Sequence, residues 1–219
     1  MKIAVLGTGE VGRRLASRFV QVGHAVVLGS RTADNAEAVA WAAANAAANG
    51  TFADAAAFGE VVVNATGGLV TLDVLRAAGA ANLDGKVLID VSNALDFSRG
   101  FPPKVATFDG RGVAEEIQRE FPGARVVKTL NTMNNKVMVA PELVPGDHTV
   151  FLSGDDAEAK AVTAGLLGDF GWRDEQILDL GGLETARATE QFVVLWIHVG
   201  GAVGDVPFNI AVHRGTPEG

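Results

Sequence analysis

The chain has 219 residues, 48% of them hydrophobic and 20% charged, with a formal net charge of −8. These values suit a soluble α/β protein of one domain, or of one large domain with a small addition. The acidic balance argues against a nucleic-acid or anionic-membrane surface, both of which reward positive potential. The absence of cysteine removes disulfides, thiolate catalysis and Cys-based metal sites.

The first element is an apolar strand, Lys2 to Leu6, that runs into Gly7-Thr8-Gly9-Glu10-Val11-Gly12 and then into a helix. This is the dinucleotide-binding arrangement. Gly7 permits the sharp turn, Gly9 lets a pyrophosphate approach the backbone, and Gly12 lets the helix pack on the strand. The first-turn N–H groups and the positive end of the helix dipole face the phosphates. Val11, Leu15, Phe19 and Val22 form the apolar stripe of this helix, Arg13, Arg14 and Arg18 lie off it, and Gly23 ends it. The second strand, Ala25 to Leu28, leads into Gly29-Ser30-Arg31-Thr32. An NAD site carries an acid at about this distance for the ribose 2′-hydroxyl. Here the hydroxyls of Ser30 and Thr32 and the planar cation of Arg31 suit a 2′-phosphate instead. The expected cofactor is NADP(H).

An Ala-rich helix follows from about Ala33 to Ala48, closed by Asn49-Gly50, and Thr51-Phe52 suggests a short strand. Val61 to Ala65 reads as a strand buried on both faces, Thr71 as the cap of a helix to Ala78, and Lys86 to Val91 as the next strand. A helix over Gly112 to Glu120, strands at Arg125–Leu130 and His148–Leu152, a helix from Asp155 to Phe170 and a strand near Gln176–Leu180 complete the alternation. The pattern predicts a Rossmann-type, doubly wound and mostly parallel sheet, followed by a small C-terminal helical segment. Residues 1–180 are expected to form the NADP-binding domain. Residues 181–219 are expected to form a closing segment that contributes to the substrate pocket and to a dimer contact. Leu183 to Val203 reads as a helix that is apolar nearly all round in its second half, so it needs burial in a cleft or against a second subunit. The tail from Arg214 reads as loose. The longest apolar run, Phe192 to Val203, is too short to span a bilayer. The first strand leaves no room for a signal peptide, so the expected location is the cytoplasm.

Ligands of such a sheet lie beyond the carboxyl ends of its strands. Beside the phosphate loop and Ser30-Arg31-Thr32, those ends are Ala65-Thr66-Gly67, Ser92-Asn93 and Asn131-Thr132-Met133. The Thr66 backbone suits a ring and ribose, Ser92-Asn93 a carboxamide, and Asn131, Thr132 and Met133 the neighbourhood of the nicotinamide. No catalytic acid or base stands among them, and no metal site is expected. His24 reads as solvated, His198 as a core histidine, Lys128 as an ion-pair member, and Arg187–Glu190 as a helical pair. Hydride exchange between two flat cofactors needs proximity more than proton transfer. An alcohol or ketone would need a proton partner, and the chain has no Tyr.

With its segments placed, the sequence resembles the NADPH:coenzyme F420 oxidoreductases and their bacterial relatives, whose nucleotide domain recurs in membrane metalloreductases. The residues that carry the likeness are Ile3 through Gly12, Gly29-Ser30-Arg31, Val127 through Met133, and Pro207-Phe208-Asn209-Ile210. The resemblance implies hydride exchange between NADP(H) and a deazaflavin, coenzyme F420, or a flavin-like acceptor, in a homodimer. Asn131, Thr132 and Met133 would then line the acceptor pocket. The sequence departs from some family members after Arg31, where Ala33-Asp34-Asn35-Ala36 replaces a further basic residue. A redox sensor that binds NADP(H) without turnover, and a reductase of a small carbonyl or imine, remain as alternatives.

Overall fold

The computed structural model describes residues 1–204 and 206–215; the end of the tail, 216–219, lies outside the described residues. The elements run β1 (Lys2–Leu6), α1 (Glu10–Gln21), β2 (Ala25–Ser30), α2 (Ala36–Asn45), β3 (Ala48–Thr51), α3 (Phe52–Phe58) and β4 (Val61–Asn64). Then come α4 (Thr71–Ala78), α5 (Ala80–Leu83), β5 (Val87–Asp90), the short pair β6 (Leu95–Asp96) and β7 (Lys104–Val105), and α6 (Val113–Glu120). The last part is β8 (Arg125–Thr129), α7 (Asn135–Val139), β9 (Val150–Ser153), α8 (Ala157–Asp169), β10 (Ile177–Asp179) and α9 (Ala186–Val203).

Eight strands form one sheet in the order β10-β9-β8-β5-β4-β1-β2-β3. Neighbours are parallel except β8 and β9, which are antiparallel. The fold is therefore the expected Rossmann-type sheet with a C-terminal helix. The central strands are buried on both faces, with one apolar cluster on each side of the sheet. This explains why they read as continuous Val, Ile and Leu runs. The reversal at β9 has a local cause. The five-residue α7 advances only about 7.5 Å, too little to carry the chain back for a parallel return.

Three local readings are corrected. Helix α2 starts at Ala36 because Asn35 caps it, accepting from the Ala38 N–H at 3.0 Å, and it ends at Asn45 because Ala46 turns left-handed (φ 49°). The edge strand is consequently Ala48–Thr51, and Thr51 joins Asp54 in a capping box that starts α3. Thr71 is the first helical residue of α4 and not its cap; its hydroxyl donates to the Gly67 carbonyl (3.3 Å) and accepts from Asn64 (3.0 Å). Helix α9 buries Ala186, Thr189, Glu190 and Val193 within the chain and leaves Leu195 and Val203 in its second half exposed.

Candidate functional site

The phosphate loop is shaped by two steric demands. Gly7 has φ +119°, and a Cβ there would stand 2.7 Å from the Ala65 carbonyl oxygen. A Cβ on Gly12 would stand 1.9 Å from the Gly7 carbonyl oxygen, so α1 sits on its own entry loop as closely as glycine allows. By contrast, a Cβ on Gly9 would meet nothing within 4 Å, and Gly9 makes no side-chain cap for α1. The space over the loop and the first-turn N–H groups of Glu10, Val11 and Gly12 thus suit an anion. The Glu10 carboxylate turns along the helix to Arg14 (3.2 Å), and Thr8 contributes its carbonyl to Arg13 (2.8 Å).

At the end of β2 the Ser30 side chain is buried and donates to the Thr32 carbonyl at 2.6 Å, which fixes the turn. Arg31 and Thr32 are exposed on that turn. Asn49 supports the next bend by donating to the Ala33 carbonyl (2.7 Å).

A cavity of about 270 Å³ opens beyond the ends of β4, β5 and β8. It gathers Val11, Ala65, Thr66, Ser92, Asn93, Asn131 and Met133 from the sequence-derived set. Gly7, Thr8, Gly9, Glu10, Gly12, Ser30, Arg31, Thr32, Gly67 and Thr132 do not line it. Asn93 and Asn131 face one another: Asn93 donates to the Asn131 carbonyl (2.8 Å) and Asn131 donates to the Asn93 side-chain oxygen (3.0 Å). Leu130, directly before Asn131, takes φ +62°, a strained setting for a bulky residue of the kind that concentrates at functional sites. The Ser92 and Thr132 hydroxyls are buried and have no partner among the described residues. Since buried polar groups are ordinarily satisfied, orphaned hydroxyls in and beside the cavity fit a polar ligand. None of the lining side chains is titratable, and no cluster of three metal-ligating side chains occurs among the described residues.

Sequence reasoning expected the C-terminal segment at the pocket but singled out no residue of α9 for it. Val193 and Trp196 line the cavity, and Trp196 stacks on Phe208 with centroids 5.5 Å apart and planes 20° apart. It also missed what holds α9 there. Three register neighbours, Asn64, Asp90 and Lys128, end β4, β5 or lie near the end of β8 and are fully buried. Asn64 donates to Asp90 (2.7 Å); Lys128 donates to Asp90 (2.7 Å) and to the Ser92 carbonyl (2.5 Å), and it pairs with Glu190 of α9 (3.0 Å). All three ammonium protons are thereby used. Glu190 in turn accepts from the Val113 and Ala114 N–H groups (2.9 and 3.1 Å) at the start of α6. Burial by itself would lower the Lys128 pKa, but Asp90 and Glu190 outweigh it and hold the ammonium above its ordinary value. A polar residue at matching positions of three adjacent apolar strands was the available signal.

Lys128 is therefore the ion-pair member anticipated. The Arg187–Glu190 pair is corrected, because Glu190 faces inward while Arg187 reaches the Gly110 carbonyl (2.6 Å). His24 is not simply solvated: it contacts Asp169 at 3.0 Å with a side chain only 11% exposed. His198 is exposed and not a core histidine. His148 is buried, its Nε2 donating to the Pro141 carbonyl (3.0 Å) and its Nδ1 accepting from Asn209 (2.9 Å), which seats the closing segment against the sheet.

Comparison with known proteins adds direct likenesses. The sequence pattern of the family described as "NADP oxidoreductase coenzyme F420-dependent" matches residues 2–94. The F420-dependent NADP reductase of Methanothermobacter thermautotrophicus is 31% identical over 210 residues, covering 91% of this chain and 89% of the relative. The metalloreductase STEAP3 of Rattus norvegicus is 30% identical over 189 residues, 86% of this chain, and only 36% of its own length is spanned. A crystal structure from Arthrobacter sp. FB24, described as a candidate F420-dependent NADP-reductase, superposes with a TM-score of 0.92 at 47% identity, covering 98% of this chain and all of the other. The imine reductase of Streptomyces aurantiacus shares the fold at 19% identity (TM-score 0.65), over 93% of this chain and 63% of its own.

Proposed function

Because the chain belongs to the family of F420-dependent NADP oxidoreductases, and is thus an NADP-dependent oxidoreductase, we propose that it exchanges a hydride between NADP(H) and a deazaflavin, coenzyme F420, or a flavin-like acceptor. NADPH supplies the hydride from its nicotinamide ring. The residues' part is to bind and orient. The turn at Ser30-Arg31-Thr32 takes the 2′-phosphate, the loop Gly7 to Gly12 the pyrophosphate, and Ala65-Thr66-Gly67 with Ser92-Asn93 the nicotinamide end. Asn131, Thr132 and Met133 flank the acceptor, and residues 181–215 act as a closing segment with Trp196 as a flat apolar wall.

The observation that carries this reading is the neutrality of the cavity: no lining residue can give or take a proton near neutral pH. A ring that takes up its proton from water suits such a site, whereas an imine or ketone reduction calls for a proton donor at the reacting atom. The exposed Leu195, Val203 and Val206 on and after α9 support a homodimer through this face. No helix among the described residues is long and apolar enough to cross a membrane, and the proposed setting is the cytoplasm.

Purified protein mixed with NADPH and oxidised deazaflavin is expected to bleach the deazaflavin absorbance with many turnovers per enzyme. A parallel assay with FMN and with a cyclic imine identifies the acceptor class. Turnover of the imine alone would overturn the reading, as would tight NADPH binding with no turnover of any acceptor.

A further inference from the structure

Resting on the NADP reading above, we propose that Arg13 and Glu37 form an exchangeable pair at the adenosine end of the site. In the free protein Glu37 engages Arg13; when NADP(H) is bound, the Arg13 guanidinium serves the 2′-phosphate. Glu37 thereby sets how strongly the site prefers NADP over NAD.

Three features place Arg13 for this role. Its Nη1 donates to the Thr8 carbonyl at 2.8 Å, which stations the guanidinium over the phosphate loop. The same nitrogen reaches the carboxylate of Glu37, in the first turn of α2. That turn begins immediately after the Ser30-Arg31-Thr32 bend, which is closed by the Asn35 N–H donating to the Thr32 carbonyl at 3.2 Å. Arg13 therefore spans the two loops that would bracket the adenosine ribose. Both bonds use Nη1 alone; no hydrogen bond engages the Nη2 and Nε groups among the described residues. A guanidinium with an unused planar edge is suited to a phosphate dianion.

The electrostatics favour exchange. The Arg13 and Glu37 side chains are 35% and 64% exposed, so the pair is solvated and weak. A phosphate dianion competes well for such a cation, while the carboxylate left beside it repels the phosphate. Glu37, together with the exposed Asp34 on the same bend, is thus an acidic brake on a basic site. Arg31, which has no ion-pair partner among the described residues, supplies the main attraction. NADH carries no 2′-phosphate, and its binding depends much less on either member of the pair.

Equilibrium binding of NADPH and NADH, followed by nucleotide fluorescence, tests this in the wild type, Glu37→Gln, Arg13→Met and the double variant. Glu37→Gln should tighten NADPH about fivefold and leave NADH within about twofold, an effect that shrinks as salt is raised. Arg13→Met should weaken NADPH by about tenfold and NADH much less. In the Arg13→Met background, Glu37→Gln should lose most of its gain. Thermal unfolding without nucleotide verifies that each variant is folded. Equal losses for both nucleotides in Arg13→Met would overturn the proposal, because Arg13 would then act only through Thr8 on the loop. No selective gain in Glu37→Gln would overturn it independently, leaving the pair as a tie between α1 and α2. A wild type that binds neither nucleotide would defeat the NADP reading itself.

Discussion

The two ends of the site are built from different materials. The phosphate loop is made from backbone: Gly7 and Gly12 admit close approaches that no side chain tolerates, and the first turn of α1 is left uncapped. The acceptor end is made from side chains contributed by the segments that follow β4, β5 and β8, together with α7 and α9. Its parts are held in place by the buried chain Asn64–Asp90–Lys128–Glu190, which stops at the first N–H groups of α6. The phosphate loop can therefore be specified within a dozen consecutive residues. The acceptor end exists only when residues more than 120 positions apart in sequence meet. One consequence is functional: α9 can be changed to suit another acceptor without disturbing the loop that binds phosphate.

The largest effect is expected at the buried ionic chain. Replacing Lys128 by Met leaves Asp90 and Glu190 without their cation in a dry interior, which should cost about 3–5 kcal/mol of folding stability. Urea unfolding measures this. A loss below about 1 kcal/mol would show that the two carboxylates find other partners, and that α9 is not held by this link.

At the nucleotide end, Arg31→Ala should weaken NADPH by about 1.5–3 kcal/mol, the range for a charge-assisted hydrogen bond, and hardly affect NADH. Titration of both nucleotides decides this. Equal losses would mean that Arg31 does not read the phosphate, and the backbone loop would then carry most of the binding. On the opposite wall, Trp196→Leu keeps an apolar surface but removes the ring that stacks on Phe208. The acceptor kcat/KM should fall by an amount equivalent to about 1–1.5 kcal/mol, with NADPH affinity unchanged. A fall in NADPH affinity of the same size would erase the distinction between the two ends.

The difference in materials also explains what was legible in the sequence. The alternation of strands and helices, the Rossmann class and the loop Gly7 to Gly12 follow from local pattern, because glycine spacing and apolar runs are local properties. The bend after Ser30 was misjudged only in where α2 begins, since Asn35 outcompetes the helix-forming alanines as a cap. Glu190 was assigned to Arg187 by helical spacing, yet the desolvated Lys128 attracts it more strongly than an exposed arginine one turn away. Trp196 carried no motif at all. Its place on the wall depends on α9 lying across the ends of β5 and β8, and no periodicity reports that.

The mildest test concerns α6, the helix on which the buried chain ends. Its Glu116 carboxylate accepts from Arg119 and Arg111 (2.5–3.0 Å), and these guanidiniums hold its pKa at about 2 despite burial. An unfolded glutamate titrates near 4.3, so between about pH 5 and 2 the unfolded chain binds the proton that the folded chain refuses. This contribution is complete above pH 5 and disappears as pH falls through the folded value. Because the arginines are 37% and 59% exposed, solvent screening reduces it to about 1 kcal/mol. Glu116→Gln should therefore be less stable than the wild type at pH 7 and indistinguishable from it near pH 2. Urea unfolding at pH 7, 4 and 2.5 resolves the convergence. If the gap stays constant with pH, α6 is held by Glu190 at its N-terminus and not by charge along its face, which would make the acceptor end still more dependent on the one buried chain.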